Sequence, residues 1–281
     1  MSRSILLCTD LDRTLLPNGL QAESPEARTL FRDVAARPEV ILTYVSGRSL
    51  ALQRDAIQRW SLPVPDYAIA DVGTTLYRVA DGRWDPVEAW LEDIASDWGD
   101  LRSHDLAALL GEPAPLVLQE AGRQNDFKLS YYAPPDFDTA SFRAYMDERL
   151  ARHGLSQLRI ALIWSVDETR DQGLLDLLPE RATKLHAVEF LIDMLGLEVS
   201  ACMYSGDSGN DLAVLASQVP AVLVGNASEE VRREAIRRAA EQRHTEALYL
   251  ARGGLKGMNG NYAAGILEGM VHFMPETAAW L

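Results

Sequence analysis

The chain has 281 residues, 47% apolar and 24% charged, with a formal net charge of −14. That length holds one sizeable domain or a core with a second module, and the composition excludes a disordered or fibrous chain. The acidic balance argues against a nucleic-acid partner, because phosphate backbones are gripped by basic surfaces, but a small anionic substrate needs only a local positive pocket.

No apolar run is long enough to cross a bilayer, so no membrane partner is expected. The short run Ile5-Leu6-Leu7-Cys8 is too brief for a signal-peptide core, and a cytoplasmic location is expected. Cys8 and Cys202 both fall in apolar runs and read as core residues, not as a disulfide or a metal pair.

In chain order, Ile5–Thr9 reads as a strand and 24–36 as a helix, with Ser24 at its cap and Pro25 at its first position. Strand Val40–Val45, helix Leu50–Trp60 and strand Tyr67–Ala70 follow. The middle breaks this rhythm with Asp, Trp and Pro, and with strands at 127–132 and 158–164 around a helix at 141–153. The alternation then resumes: helix 183–195, strand 201–205, helix 212–217, strand 221–224 and helix 228–241. Buried strands separated by helices imply an α/β fold, a doubly wound parallel sheet. The expected division is a core of residues 1–81 and 175–281 around an α+β insert of 82–174. Its Trp84, Trp90 and Trp98 read as packing first and as sugar-stacking platforms second.

The chemistry begins where the first strand stops. On extended backbone Asp10 and Asp12 point the same way, at the carboxyl end of a strand, where open α/β sheets bind ligands. A turn-capping role explains one of these acids but not two. Their repulsion is relieved by a hard divalent cation with oxygen ligands, Mg2+ first. The run Ser205-Gly206-Asp207-Ser208-Gly209-Asn210-Asp211 follows another strand, and its glycines allow a tight turn into a helix. Asp207 and Asp211 either complete a metal site or cap that turn. Ser46-Gly47-Arg48, after the second strand, offers a hydroxyl and backbone N–H groups to a phosphate. Lys184, at a helix start, is by default a solvated lysine, although the dipole disfavours a cation there.

Taken in order, Asp10-Leu11-Asp12-Arg13-Thr14, Ser46-Gly47-Arg48, Lys184 and Gly206-Asp207-Ser208-Gly209-Asn210-Asp211 resemble the four motifs of haloacid-dehalogenase-type phosphatases. The insert between the second and third motifs resembles the type C2 cap of the Cof-like branch. Within it, the runs 72–77, 124–131 and 261–273 are similar to sucrose-6-phosphate phosphatases. Two departures stand out: Arg13 where relatives usually carry Gly or Asn, and the run 15–19.

The resemblance implies a Mg2+-dependent phosphomonoesterase with Asp10 as nucleophile and Asp12 as acid and base. Mg2+ would be held by Asp10, the carbonyl of Asp12, Asp207 and, directly or through an intermediary, Asp211. The phosphate would be held by Ser46, Gly47, Lys184 and Asn210. Specificity is expected in the insert, with Lys128 and Asn125 as candidate sugar contacts and Gly73 and Thr74 lining the same cavity. Sucrose 6-phosphate leads as substrate, ahead of a mannosyl or trehalose-type phosphate. The non-enzymatic alternative is a phospho-receiver, which also uses acids, a hydroxyl and a lysine on a doubly wound sheet. The glycine-rich run 253–257 is expected to be a connector.

Overall fold

The computed structural model describes residues 4–167 and 170–281, without the side chains of 166 and 167. It divides into two compact units, residues 1–87 with 184–281, and residues 88–183.

The first unit is built on β1 (Ile5–Thr9), buried along its whole length. After α1 (Ala27–Ala35) comes β2 (Val40–Val45), then α2 (Leu50–Trp60), β3 (Tyr67–Ala70), β4 (Thr75–Ala80) and β5 (Arg83–Pro86). The second unit follows with α3 (Glu88–Ala95), α4 (Ser103–Leu110), β6 (Val117–Leu118), β7 (Leu129–Ala133), α5 (Thr139–Arg152), β8 (Ile160–Asp167) and β9 (Gln172–Pro179). The chain then returns to the first unit through α6 (Lys184–Met194), β10 (Cys202–Gly206), α7 (Leu212–Leu215), β11 (Ala221–Leu223), α8 (Glu229–Gln242), β12 (Leu248–Leu250) and α9 (Ala263–Phe273).

Among the described residues the first unit forms one sheet in the order β12-β11-β10-β1-β2-β3-β4-β5. From β12 to β3 every pairing is parallel, and β4 and β5 extend the sheet as an antiparallel hairpin. β1 lies between β10 and β2, with Leu6 opposite both Cys202 and Ile41. Ile5 and Leu7 share a core with Phe31 and Val34 of α1 and with Ile266, Leu267 and Met270 of α9. Leu6 and Cys8 are equally buried and face the other side of the pleat, so helices cover both faces, as the doubly wound reading requires. Gly269 permits the close approach of α9: a Cβ there would lie 2.5 Å from the Cβ of Val222.

Several sequence expectations shift. α1 begins at Ala27, and the Ser24 hydroxyl accepts the Asn259 amide instead of capping the helix. α5 is capped by Asp138, whose carboxylate accepts the amides of Ala140 and Ser141. The dividing points lie at 87/88 and 183/184 instead of 81/82 and 174/175. β5 pairs with β4 in the first sheet, so the chain stays in the first unit beyond residue 82. β9 pairs antiparallel with both β7 and β8, so a cut at 174/175 would split the middle of the second sheet, ordered β6-β7-β9-β8. Trp90 and Trp98 are fully buried in the second unit, as packing requires, while Trp84 belongs to β5. No helix among the described residues is long and apolar enough to cross a membrane.

Candidate active site

β1 and β10 run parallel, so their carboxyl ends open on one edge of the sheet. The Asp10 amide donates to the Ser205 carbonyl (2.9 Å), extending the pairing one residue past the strand. The chain then turns sharply, with the amides of Thr14, Leu15 and Leu16 converging on the Leu11 carbonyl at 3.3, 3.1 and 2.8 Å. This turn ends the extended backbone, so Asp10 and Asp12 do not share one environment as expected from their spacing. Asp10 is 5% exposed and accepts a hydrogen bond from Lys184 Nζ at 3.1 Å. Asp12 is half-exposed and gripped from the other side by Arg48, whose Nη2 and Nε donate at 2.6 and 2.7 Å; Asn18 Nδ2 adds a third bond at 2.8 Å. The two carboxylates therefore sit in two different settings.

The second acidic turn follows from Gly206. A Cβ there would come within 2.5 Å of the Asp211 carboxyl carbon, so glycine is what lets Asp211 fold back beneath the turn. Asp211 Oδ2 accepts the amides of Asp207 and Ser208, each at 3.0 Å, and the Ser208 hydroxyl at 3.2 Å. Its Oδ1 accepts Lys184 Nζ at 2.7 Å and the Tyr204 hydroxyl at 2.5 Å. Both readings left open by the sequence find support in Asp211: it caps the turn, and its carboxylate lies within reach of a shared cation.

Lys184 is the first residue of α6 and is 4% exposed, not a solvated surface lysine. Its three ammonium donors meet Asp10, Asp211 and Asn210, the last at 3.0 Å. Burial opposes its charge, but Asp10 and Asp211 outweigh burial, and its pKa lies above the ordinary lysine value. Those two carboxylates also offset the unfavourable helix dipole.

Among the described residues, the carboxylates close enough to share one cation are Asp10, Asp207 and Asp211, with one oxygen of each within 4.8 Å of the others. The carboxylate of Asp12 stands outside this group. Burial pushes Asp10 up to about 7, with Lys184 opposing and Asp211 and Asp207 adding to the rise. Burial likewise pushes Asp207 up to about 6, with Asp211 adding to it. Asp211 goes the other way: burial would raise it, but Lys184, Tyr204 and the Ser208 amide hold it below the usual range. Asp207 Oδ1 accepts the Thr14 hydroxyl at 3.1 Å, while its buried Oδ2 has no hydrogen-bond partner. A buried carboxylate oxygen left without a donor, beside a second crowded carboxylate, suits a hard divalent cation.

The turns after β2 and β3 border the same sheet edge. Ser46 is buried, its amide donating to the Ile69 carbonyl at 3.0 Å and its hydroxyl accepting the Arg48 amide at 3.2 Å. The Asp71 amide donates to the Arg48 carbonyl at 3.0 Å, tying the two turns together. Gly73 and Thr74 lie in that second turn, where Asp71 and Val72 take φ of +52° and +64°. A β-branched residue in the left-handed region costs energy. Gly47 faces this turn, its direction of side-chain growth meeting Val72 at 3.8 Å.

Lys128 and Asn125 belong to the second unit, in the turn leading into β7. Lys128 Nζ donates to the Arg123 carbonyl at 3.0 Å and lies 3.5 Å from Asp176, while Asn125 Oδ1 accepts the Phe127 amide at 2.9 Å. A cavity of about 620 Å³ in that unit, lined by Phe137, Phe142, Tyr145 and Pro115 among others, includes neither residue. The 253–257 run is held as a connector by Glu268, which accepts the Arg252 and Gly253 amides at 2.9 and 2.8 Å.

Four contributors to the site escaped the sequence reading. Arg48 reaches Asp12 across 36 residues and Asn226 donates to the Arg13 carbonyl across 213, whereas Asn18 and Tyr204 meet Asp12 and Asp211 from six and seven residues away. Tyr204 directly precedes the Ser205–Asp211 run and Arg48 lies within the Ser46-Gly47-Arg48 motif, which is the one signal that singles them out.

The sequence matches the family model of sucrose-6F-phosphate phosphohydrolases over residues 3–274. It is 53% identical over 281 residues to a HAD-like hydrolase of Nitrosococcus oceani, covering all of this chain and 75% of that one. It is 30% identical over 231 residues to the mannosylfructose-phosphate phosphatase of Agrobacterium fabrum, covering 80% of this chain and 85% of that one. The X-ray structure of the sucrose-phosphatase of Synechocystis sp. PCC6803, in complex with sucrose and phosphate, superposes with a TM-score of 0.70 at 25% identity, covering 96% of this chain and 98% of that one. The chain spans about half the length, 52%, of a probable plant sucrose-phosphatase of Arabidopsis thaliana that it also matches. The chain belongs to the sucrose-phosphatase family of the haloacid dehalogenase superfamily, which makes it a phosphoric monoester hydrolase and not a phospho-receiver.

Proposed function

We propose that this chain is a Mg2+-dependent sugar-phosphate phosphatase of the cytoplasm, acting on a phosphorylated disaccharide, sucrose 6-phosphate first. The observation that carries the reading is Asp10: a buried carboxylate at a strand end, next to Lys184 and to an Asp207 oxygen that lacks a donor. The free, buried Cys8 and Cys202 suit a reducing compartment.

In this reading an Asp10 carboxylate oxygen attacks phosphorus, forming an acyl-phosphate bond as the bond from phosphorus to the sugar oxygen breaks. Asp12 supplies the proton that the sugar oxygen takes on leaving. Asp12 then accepts a proton from the water that attacks phosphorus, and the bond to Asp10 breaks to release phosphate and restore the carboxylate. Burial would raise the Asp12 pKa, but the two Arg48 hydrogen bonds more than offset it, so its ionised form is favoured. That state is the one needed to activate water; loading Asp12 with a proton requires the Arg48 grip to loosen. Lys184, the Ser46 hydroxyl, and the Gly47 and Asn210 positions hold the phosphoryl oxygens as their charge grows. Asp10 and Asp207 would hold Mg2+, with the Asp12 carbonyl, and the bound ion would offset the repulsion between carboxylate and phosphate. Asp211, with both oxygens engaged, orients Lys184 and the 206–208 turn and does not meet the ion directly.

Lys128 and Asn125 of the second unit remain candidates for sugar contact, and so, separately, do Gly73 and Thr74 of the first. Mannosylfructose phosphate is the second substrate reading, favoured by the 30% identity to an enzyme named for it. Phosphate release from sucrose 6-phosphate, mannosylfructose phosphate, trehalose 6-phosphate and glucose 6-phosphate, with Mg2+ and with excess chelator, tests both. Turnover of sucrose 6-phosphate no better than of glucose 6-phosphate rejects the sucrose reading.

A further inference from the structure

Arg13 is the residue of the first motif that the reaction above leaves unused. Its backbone is left-handed, at φ +58°, where glycine or asparagine is less strained than arginine. The conformation is pinned on both sides: the Arg13 amide donates to Asn18 Oδ1 at 2.8 Å, and its carbonyl accepts Asn226 Nδ2 at 2.6 Å. Asn226 is itself buried and fixed by the Tyr262 amide, which donates to its Oδ1 at 2.8 Å. So a costly backbone conformation is held by a buried bridge, and an arginine side chain is carried on it.

Among the described residues that side chain reaches one acceptor. Its Nε lies 3.4 Å from Asp207 Oδ2, the buried oxygen that has no hydrogen bond, while the Arg13 side chain as a whole is 48% exposed. The contact is an ion pair without hydrogen-bond geometry. It lowers the energy of the crowded carboxylates, yet leaves the oxygen's lone pairs open.

We propose that Arg13 is a tethered counter-cation that shares Asp207 with the divalent ion and thereby sets the metal affinity of the site. Without the ion, the guanidinium offsets the charge of Asp207. When the ion binds, the guanidinium swings towards solvent, which the half-exposed side chain already borders, and its loss of Asp207 is charged against metal binding. Arg13 acts through Asp207 and touches no reacting atom, so it is a positioning residue. The inference rests on the proposed metal site, but not on the identity of the sugar or on turnover.

The test is calorimetric titration of the full-length, chelator-stripped protein with Mg2+, and with Mn2+ followed by electron paramagnetic resonance. Three forms are compared: wild type, Arg13→Gln and Arg13→Lys. Removing one unit charge a few ångströms from a divalent ion in a partly hydrated site should tighten metal binding about tenfold in Arg13→Gln. Arg13→Lys, which keeps charge and most of the reach, should stay within about twofold of wild type. Equal affinities in all three forms, or weaker binding in Arg13→Gln, overturn the proposal. If Arg13→Gln instead loses affinity for inorganic phosphate with metal affinity unchanged, Arg13 serves the substrate anion and the proposal is wrong. Absence of metal binding by wild type is a separate outcome, which overturns the metal site itself along with this inference.

Discussion

The two units of the chain each bury charged side chains, and they treat them differently. In the second unit the cluster is closed. Lys128 donates to the Arg123 carbonyl and pairs with Asp176, which also accepts the Ser130 hydroxyl; Asp97 is met by Arg159, Arg181 and the Arg181 amide. At the strand ends of the first unit three carboxylates crowd one lysine, two are raised towards neutrality, and one oxygen has no donor. Closed clusters satisfy the cost of burying charge within the fold, whereas an open one leaves part of that cost to a ligand. Incomplete satisfaction of crowded carboxylates is what separates this cluster from those of Asp97 and Asp176.

The hardest blow to this contrast is Asp10→Asn. With Asp10 as the proposed nucleophile, the variant should lose about four orders of magnitude or more in turnover while still binding inorganic phosphate. Near-wild-type phosphate release would remove the open cluster from the chemistry altogether.

Metal removal is the next test, and its pH dependence is diagnostic. With folded pKa values of about 7 for Asp10 and about 6 for Asp207, these groups hold protons in the folded chain that the unfolded chain has released. Their stabilising effect is complete below the unfolded value of about 4 and is lost as pH rises through the folded values. Mg2+ needs the ionised forms, so the rise in melting temperature on adding it should be small near pH 5 and larger near pH 8. A rise that is equal at both, measured by calorimetry against chelator-treated protein, places the ion elsewhere.

A smaller effect sharpens the difference between the two acids of the first motif. In Arg48→Ala, burial remains but the guanidinium that holds the Asp12 carboxyl below the usual range is gone. Whichever limb of the pH–rate profile reports Asp12 should move to higher pH; an unmoved profile denies Asp12 an acid–base role.

The smallest change in activity is expected in the closed cluster. Lys128→Met leaves Asp176 short of a charged partner, so stability should fall by about 1–3 kcal/mol in denaturant unfolding. Turnover of a small aryl phosphate should be unchanged. A raised KM confined to sugar phosphates would assign Lys128 a substrate contact as well.

Much of the fold was legible in the sequence, because apolar runs of strand length alternated with amphipathic stretches around β1, β2, β10 and β11. The four motifs marked the edge of the sheet where the site lies. Less legible were α3, α4, the β4–β5 hairpin and β9, whose residues mix polar and apolar types without a clean period. The second unit's sheet is antiparallel and partly exposed, so its pattern is weaker than that of a strand buried on both faces.

By itself, then, the sequence determined the strand ends, the placement of Asp10, Ser46 and Asp207 just past them and of Lys184 at a helix start, and the chemistry that such groups allow. It could do so because periodicity and turn residues are local properties. The tertiary structure alone decided who meets whom: Lys184 with Asp10 across 174 residues, Arg48 with Asp12 across 36, and Arg13 with Asp207. Those pairings depend on β1 lying between β10 and β2, an order set by packing over the whole sheet and not by any one stretch of the chain. The same order assigned Arg13 a partner, which its place in the first motif could not.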